Sequence, residues 1–297
     1  MRDDFAVLIL THGRSDRIHT LKTLKTAGYT GKWYLVIDNE DDTAEQYYER
    51  FGRERVVMFD KQAAYDETDT ADTFGEKRAV LFARNESFKV AKDLGLSYFV
   101  QFDDDIKSLD YRYAENDKLM TRKVRQADRL FEAMIRFLDD SDALTVAFCQ
   151  GGDFIGGLQG KRWGKKILRK AMNSFFCRVE RPWKFVGTMN EDVSFYSDKN
   201  RKGVLIMSIT DVNIVPEMTQ AGEGGMSEAY VEWGTYLKTF YSVMVCPSAV
   251  KVSVMNSSHK RIHHHVEWGK CAPMILNEKY LRKGRVERDG REDELLF

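Results

Sequence analysis

The sequence predicts a single α/β domain, a mostly parallel central sheet flanked by helices with a variable second half. Three observations carry this expectation. Short apolar runs at 5–10 (FAVLIL), 33–37 (WYLVI), 56–59 (VVMF), 99–102 (FVQF) and 144–149 have the length and composition of strands buried between two helical layers. Between several of them lie stretches with apolar residues at steps of three and four. The runs also end in polar or acidic groups, as they do when the carboxyl ends of strands share one ligand crevice. Strand, helix, strand, strand, helix, strand, helix, strand is the order of an α/β layer. Residues 1–150 form the first half, 151–275 the second half of the same domain, and 276–297 a charged tail, with no internal repeat or low-complexity linker.

Length and composition limit the function. At 297 residues the chain can bury a sizeable core, and its 46 basic residues balance 46 acidic ones, so it is no general polyanion binder. Cys149, Cys177, Cys246 and Cys271 are widely spaced without a CxxC pair, which predicts reduced, buried thiols rather than a zinc site or a disulfide framework. The first apolar run is short and follows Asp3 and Asp4, unlike a signal peptide, and no run approaches the roughly 18 residues of a membrane span. A cytoplasmic protein that does not engage membranes is expected.

Taken in order, strand 5–10 leads into Thr11-His12-Gly13-Arg14, a loop in which Gly13 permits close backbone approach and Arg14 can meet a phosphate or base. Ile18, Leu21 and Leu24 give a helix over 16–27 closed by Gly28. The strand at 33–37 ends at Asp38, Asn39 and Glu40, and the one at 56–59 at Asp60. Residues 61–72 read as a patternless polar loop. Thr73 and Glu76 have the form of a capping box, announcing a helix to about Leu94 that stops at Gly95. Its stripe of Leu81, Phe88 and Ala91 faces the core, while Lys77, Arg78, Arg84 and Asn85 lie on another side, as anion ligands or as a solvated basic face.

The stretch 99–106, FVQFDDDI, carries the chemistry. Its three consecutive carboxylates stand where an extended chain would send Asp103 and Asp105 to one side and Asp104 to the other. That spacing suits Mg²⁺ or Mn²⁺, which takes one or two carboxylates and completes its shell with water and phosphate oxygens. A solvated turn is the competing explanation. Val124, Ala127, Phe131, Met134, Ile135 and Leu138 predict the clearest helix of the chain.

The second half opens on a glycine-rich loop at 151–157. A basic block follows, with Lys161, Arg162, Lys165, Lys166, Arg169 and Lys170 interleaved with Trp163, and with Phe175, Phe176 and Trp183 beyond it. It can neutralise phosphates and offer stacking faces to DNA, or it is an amphipathic surface segment whose aromatics join the core. Asn190 is a candidate N-cap with Glu191 and Asp192 in the first helical turn. Strands are expected at 204–209, 212–215 and 250–254, a lid-like loop around Gly222, Gly224 and Gly225, and a helix at 230–245. His259, His263, His264 and His265 crowd seven residues, as a polar loop or a ligand set.

In this order, THGR after the first strand, Asp38 after the second, Ala83-Arg84-Asn85, FDDDI, a glycine-rich loop, Asn190-Glu191-Asp192 and a late histidine resemble the GT-A class of nucleotide-sugar glycosyltransferases. The resemblance spans roughly residues 5–265. It implies a GT-A-like single domain with a divalent metal, Mn²⁺ or Mg²⁺, and a nucleotide-sugar donor, UDP-glucose or similar. By that likeness Asp103 and Asp105, with His263 or His265, serve the metal. The donor falls to Thr11, Arg14 and Asp38, the last at the nucleobase, and to Arg78, Arg84, Asp103 and Asp104. Asp192, or Glu191, is the general base at the acceptor. The opening 110 residues are similar to glycosyltransferases associated with thymine and cytosine dioxygenases in phages and kinetoplastids. That likeness implies transfer of a sugar to the hydroxymethyl group of a modified pyrimidine in DNA, hydroxymethylcytosine or hydroxymethyluracil, with the basic block at 161–184 holding the strand. A glycosyltransferase acting on a cell-envelope glycan or a protein, and a nucleotidyltransferase, are the alternatives.

Overall fold

The first apolar run becomes the centre of the parallel half of the sheet. In the computed structural model, which describes residues 1–71, 75, 77–160, 162–217, 226–256 and 260–271, strand β1 (Phe5–Leu10) is buried along its whole length. It lies parallel to β2 (Lys32–Asp38) on one side and to β4 (Tyr98–Asp103) on the other, and β3 (Val56–Phe59) pairs parallel beyond β2. Parallel neighbours need crossovers. Helices α1 (His19–Thr26), α2 (Ala44–Phe51), α3 (Lys61–Asp66) and α4 (Leu81–Asp93) lie within these connections. The chain therefore moves outward from β1 through β2 to β3 and returns to its other flank as β4. That reversal is a topological switch point, and it opens a crevice beyond the carboxyl ends of β1 and β4.

The rest of the sheet is mixed. After β4 come a hairpin, β5 (Ile106–Glu115) and β6 (Lys118–Lys123), then helix α5 (Ala127–Ser141), β7 (Thr145–Gln150), the short β8 (Ile167–Leu168) and β9 (Ser174–Arg178). Helix α6 (Glu191–Arg201), β10 (Ile206–Pro216) and helix α7 (Met226–Val245) complete it. Among the described residues the sheet order is β3-β2-β1-β4-β9-β7-β10-β5-β6, with β8 on β10. Strands from both halves of the chain thus share one sheet. Strands β11 (Val250–Asn256) and β12 (Lys260–Val266) form a separate antiparallel pair.

Alternation along β1 divides the core into two layers. Phe5, Val7 and Ile9 pack with Phe131, Met134 and Leu138 of α5, while Ala6, Leu8 and Leu10 pack with Leu81, Phe82 and Phe88 of α4. The second layer also holds Phe175, Trp183, Phe185 and Phe195, whose rings meet at centroid distances of 4.3 Å for Trp183–Phe195 and 5.1 Å for Phe175–Phe185. The four cysteines are buried free thiols, as expected.

Several elements differ from expectation for local reasons. The segment at 61–66 is helical because Asp60 caps it, accepting from the Ala63 N–H at 3.0 Å. Residues 44–51 form a helix organised around Tyr47, which is fully buried. Strands expected at 204–209 and 212–215 are one strand, β10, with a register shift between Ile209 and Asn213. The histidine cluster contributes to β12, not to a loop, and Phe175 and Phe176 lie in β9. The capping residues Thr73 and Glu76, the Gly222–225 loop, Lys161, His259 and the tail lie outside the described residues.

Gly28 is a point where the chain requires glycine. Its φ is +76°, and a Cβ there would stand 2.4 Å from the Arg125 carbonyl oxygen at the approach to α5. Gly28→Ala is expected to lower stability by about 1–3 kcal/mol, measured by urea unfolding. An unchanged midpoint would contradict this packing.

Candidate active site

The acidic motif is a tight turn rather than a continuing strand. β4 ends at Asp103 and β5 begins at Ile106, so the alternation expected through Asp105 stops two residues earlier. Helix α1 clamps the turn. The Thr20 backbone N–H donates to the Asp104 carbonyl at 3.1 Å, and the Thr20 hydroxyl donates to the Asp103 carbonyl while accepting from the Ile106 N–H at 3.0 Å. The Thr23 hydroxyl adds a bond to the Ile106 carbonyl at 2.7 Å.

Each acid then meets a different environment. Asp104 turns inward to the loop after β1, accepting from the Thr11 hydroxyl at 2.8 Å and from Arg14 Nη1 at 3.2 Å. Since the Thr11 proton goes to that carboxylate, the Tyr47 hydroxyl must donate to Thr11 Oγ1 across 2.9 Å, and Tyr47 itself accepts from the Arg14 N–H at 2.9 Å. Thr11 and Asp104, expected at the donor, are instead buried in this chain of bonds. They fix the loop on which a donor would rest.

Asp103 reaches the other way, to Arg84. That guanidinium is 2% exposed and joins two acids from distant parts of the chain: Nη2 donates to Asp103 Oδ1 at 2.9 Å and Nε to Glu191 Oε1 at 3.1 Å. It packs over Phe175 and Phe185 at 5.1 and 5.8 Å, and the Gln101 amide donates to the Arg84 carbonyl at 2.8 Å. Both a solvated role and a diphosphate contact for Arg84 give way to a structural bridge. A charge this deep is stable only when paired. Asn85 secures the same region through a reciprocal amide–backbone pair with Phe185, donating at 3.2 Å and accepting at 2.8 Å. Arg78 is half-buried ahead of α4.

Glu191 and Asp192 open α6 as expected, but the cap is not. Asn190 takes the N-cap position with a left-handed backbone (φ +51°) and makes no side-chain cap bond. Its amide instead donates to the Lys238 carbonyl at 2.7 Å and meets Ser242 Oγ at 3.2 Å and His264 Nδ1 at 3.3 Å. The histidine that touches the NED segment is therefore His264. Burial, with the neighbouring histidines and Lys238, depresses its pKa to about 3, so it is neutral. Of the two histidines expected at a metal, His263 lies against the His264 ring at a centroid distance of 4.2 Å and His265 is exposed.

Asp105 is the turn acid whose buried Oδ1 has no hydrogen-bond partner among the described residues. Burial and repulsion from Asp103 and Asp104 raise its pKa to about 7; burial, Asp192 and Asp103 do the same to Glu191, against the pull of Arg84. Burial also raises Asp192, whose Oδ1 accepts from the Val193 N–H at 2.7 Å. An orphaned carboxylate oxygen among crowded acids suits a hard cation that takes few protein ligands. Among the described residues no three His, Cys, Asp or Glu side chains converge on one metal position, so Asp105 and Asp103 are the candidate ligands and the shell would need exogenous oxygens.

On the β2 flank, Asp38 is buried and both of its oxygens are taken. His12 Nδ1 lies 2.8 Å from Oδ2, while Lys61 Nζ at 3.3 Å and the Glu40 N–H at 3.1 Å reach Oδ1. The contact with a nucleobase expected of Asp38 is displaced by these pairings. His12, read from sequence only as loop, is the more exposed member.

The basic block is largely paired within the chain, although among its described basic residues only Lys170 is buried. Arg162 donates to Asp153 at 3.1 Å, Lys170 is buried against the same carboxylate, Lys166 pairs with Asp211 at 3.0 Å, and Arg169 donates to Asn200 and the Val204 carbonyl, each at 3.0 Å. Trp163, Phe175, Phe176 and Trp183 are buried. The stacking faces expected for DNA thus belong to the core, because apolar ring area is worth more buried than exposed. Arg162, Lys165 and Lys166 remain exposed.

The chain belongs to the TET-associated glycosyltransferase family, whose model matches residues 5–225, and it is accordingly a glycosyltransferase and not a nucleotidyltransferase. No curated protein matches it. Similar solved structures include the mannosyltransferase PcManGT from Pyrobaculum calidifontis in complex with GDP-Man and Mn²⁺, at 13% identity over 82% of this chain and 74% of that one, with a TM-score of 0.43. Another is glucosyl-3-phosphoglycerate synthase from Mycobacterium tuberculosis with Mg²⁺ and UDP, at 11% identity over 88% and 87%, with a TM-score of 0.44. Among the described residues no helix is long and apolar enough to cross a membrane.

Two outcomes follow from the buried charges. Arg84→Met strands two carboxylates, and a loss of about 3–5 kcal/mol is expected in denaturant unfolding; a loss below about 1 kcal/mol would deny the bridge. For Asp105, a carboxyl raised to about 7 stays protonated in the folded state while the unfolded chain ionises near the ordinary value of about 4. Stability therefore declines as pH rises from about 4 to about 7 and levels off above. Without divalent metal, Asp105→Asn should flatten that decline and raise the thermal midpoint at pH 7.5 but not at pH 4, and overlapping profiles would refute it.

Proposed function

We propose that this glycosyltransferase moves a sugar from a nucleotide-sugar, UDP-glucose or a similar donor, to the hydroxymethyl group of a modified pyrimidine in DNA. The observation that carries the reading is the Arg84 bridge, which ties the acid ending β4 to the acid opening α6. A donor site and an acceptor site must lie side by side for transfer, and a guanidinium that joins these two acids supports that arrangement. The family's association with TET enzymes supports a hydroxymethylated base as acceptor.

Asp105 and Asp103 would hold Mg²⁺ or Mn²⁺. Bound there, the cation supplies positive charge against the diphosphate as the sugar departs. The remaining chemistry belongs to the chain's own groups. The acceptor hydroxyl attacks the anomeric carbon, its bond to the diphosphate oxygen breaks, and a carboxylate takes the hydroxyl proton. Glu191 is committed to Arg84, so Asp192, the acid of the pair with no guanidinium bonded to it, is assigned as that base. Its raised pKa increases its affinity for the proton it must accept.

The burial of Trp163, Phe175, Phe176 and Trp183 favours a second reading of the acceptor, a cell-envelope glycan or protein, since it takes away the stacking faces expected for a DNA strand.

The test is mass spectrometry of nucleosides after the protein, Mn²⁺ and mixed nucleotide-sugars have been incubated with DNA carrying hydroxymethylcytosine or hydroxymethyluracil. A nucleoside heavier by one hexose or pentose is expected. Asp105→Ala and Asp192→Asn should each lower transfer by about 10²-fold or more while remaining folded. Metal-dependent release of nucleoside diphosphate without DNA modification would reject DNA in favour of the second acceptor; full activity in either variant would reject that residue's role.

A further inference from the structure

The loop after β1 places a histidine where the sequence suggested an aspartate would act. His12 Nδ1 sits 2.8 Å from Asp38 Oδ2 and 3.8 Å from Asp41 Oδ2. Both acids are buried and the ring is 44% exposed. Asp41 is itself fixed: Oδ2 accepts from the Gly13 N–H at 2.7 Å, and Oδ1 accepts from the Thr43 N–H and hydroxyl at 2.8 and 2.6 Å. Asp38 is fixed on its other oxygen by Lys61 and the Glu40 N–H. The imidazole therefore projects from an anchored acidic seat, and its Nε2 has no bond among the described residues.

Position says what this edge meets. β1 separates β2 from β4, so the crevice has the turn acids on one flank and His12 with Asp38 on the other. On the reading proposed above, the diphosphate belongs with the cation at Asp103 and Asp105. The nucleoside then extends across β1 towards β2, where Asp38 is buried and His12 is presented.

We infer that His12, not Asp38, reads the donor nucleotide, with its imidazolium donating from Nε2 to a carbonyl oxygen of the base and Asp38 acting as the residue that positions it. The hydrogen bond to Asp38 and the charges of Asp38 and Asp41 hold the ring protonated above its ordinary range, while burial and Lys61, facing it from α3, oppose this. An imidazolium has two donors and no acceptor. It accordingly selects a base edge that accepts, such as a uracil carbonyl, over one that presents an amino group. Because the ring loses its charge as pH rises through its elevated pKa, base recognition is strongest below that point and fades above it. This inference rests on the donor reading, which it deepens by naming the residue that discriminates.

Titration calorimetry of the full chain with Mg²⁺ and UDP, and separately with Mg²⁺ and inorganic pyrophosphate, across pH 6 to 9 tests it. His12→Gln should weaken UDP about tenfold or more at the acidic end and remove the wild-type excess in pH dependence, with pyrophosphate unaffected. In transfer assays the same change should raise the donor KM and spare kcat. Asp38→Asn, which keeps the ring and removes its counter-charge, should move the wild-type midpoint to lower pH, a shift that mere loosening of the loop would not produce. UDP binding by His12→Gln with wild-type affinity and pH profile overturns the inference alone. Equal weakening of UDP and pyrophosphate also overturns it, since His12 would then serve the phosphates. If neither ligand binds the wild type, the donor reading and this inference fall together.

Discussion

The buried Arg84 guanidinium is the constraint on which the site depends. A charge that deep is tolerated only because Asp103 and Glu191 meet it and the Phe175 and Phe185 rings lie against it. Those four partners come from β4, α6, β9 and the segment leading to α6, so one side chain obliges four separate parts of the chain to assemble. The arrangement cannot be satisfied piecemeal. If α6 moves away, Glu191 loses its counter-charge, and if the turn after β4 slips, Asp103 does.

The same bridge leaves an imbalance that has functional meaning. Five carboxylates, Asp103, Asp104, Asp105, Glu191 and Asp192, crowd the carboxyl end of β4 and the start of α6. Arg14 and Arg84 neutralise only part of that charge. Burial, with the residual repulsion added to it, raises Asp105 and Glu191 to about 7. A protein under selection for stability alone would replace Asp105, whose Oδ1 bonds to nothing among the described residues. A site that receives a cation has reason to keep it.

Much of the fold was legible because its strands are uninterrupted apolar runs and α5 has an unbroken amphipathic stripe. β1 matched to the residue, and α5 nearly so. Where signals were short or dominated by tertiary contacts, reading failed: α2 is organised by a single buried Tyr47, α3 by the Asp60 cap, and β9 was hidden inside a basic, aromatic stretch. The acids of the site were legible as types and in order, whereas their partners were not. Arg84 reads as a surface residue by its neighbours, and only three-dimensional placement shows it buried. Asp38 stands out by its position at a strand end, but nothing local announces that His12 and Lys61 occupy both its oxygens. Gln101, a lone amide within an apolar strand, was the available hint that the back of the Arg84 helix needed a polar partner.

Whether the orphaned Asp105 and its bridged neighbours form a cation site completed by the donor, and not a purely structural cluster, can be decided by electron paramagnetic resonance of Mn²⁺ titrated with the protein in the presence and absence of UDP. The account predicts weak retention of Mn²⁺ by the protein alone, tight retention with UDP, and loss of the UDP-dependent retention in Asp105→Asn. Retention that ignores UDP, or that survives this substitution unchanged, would contradict it.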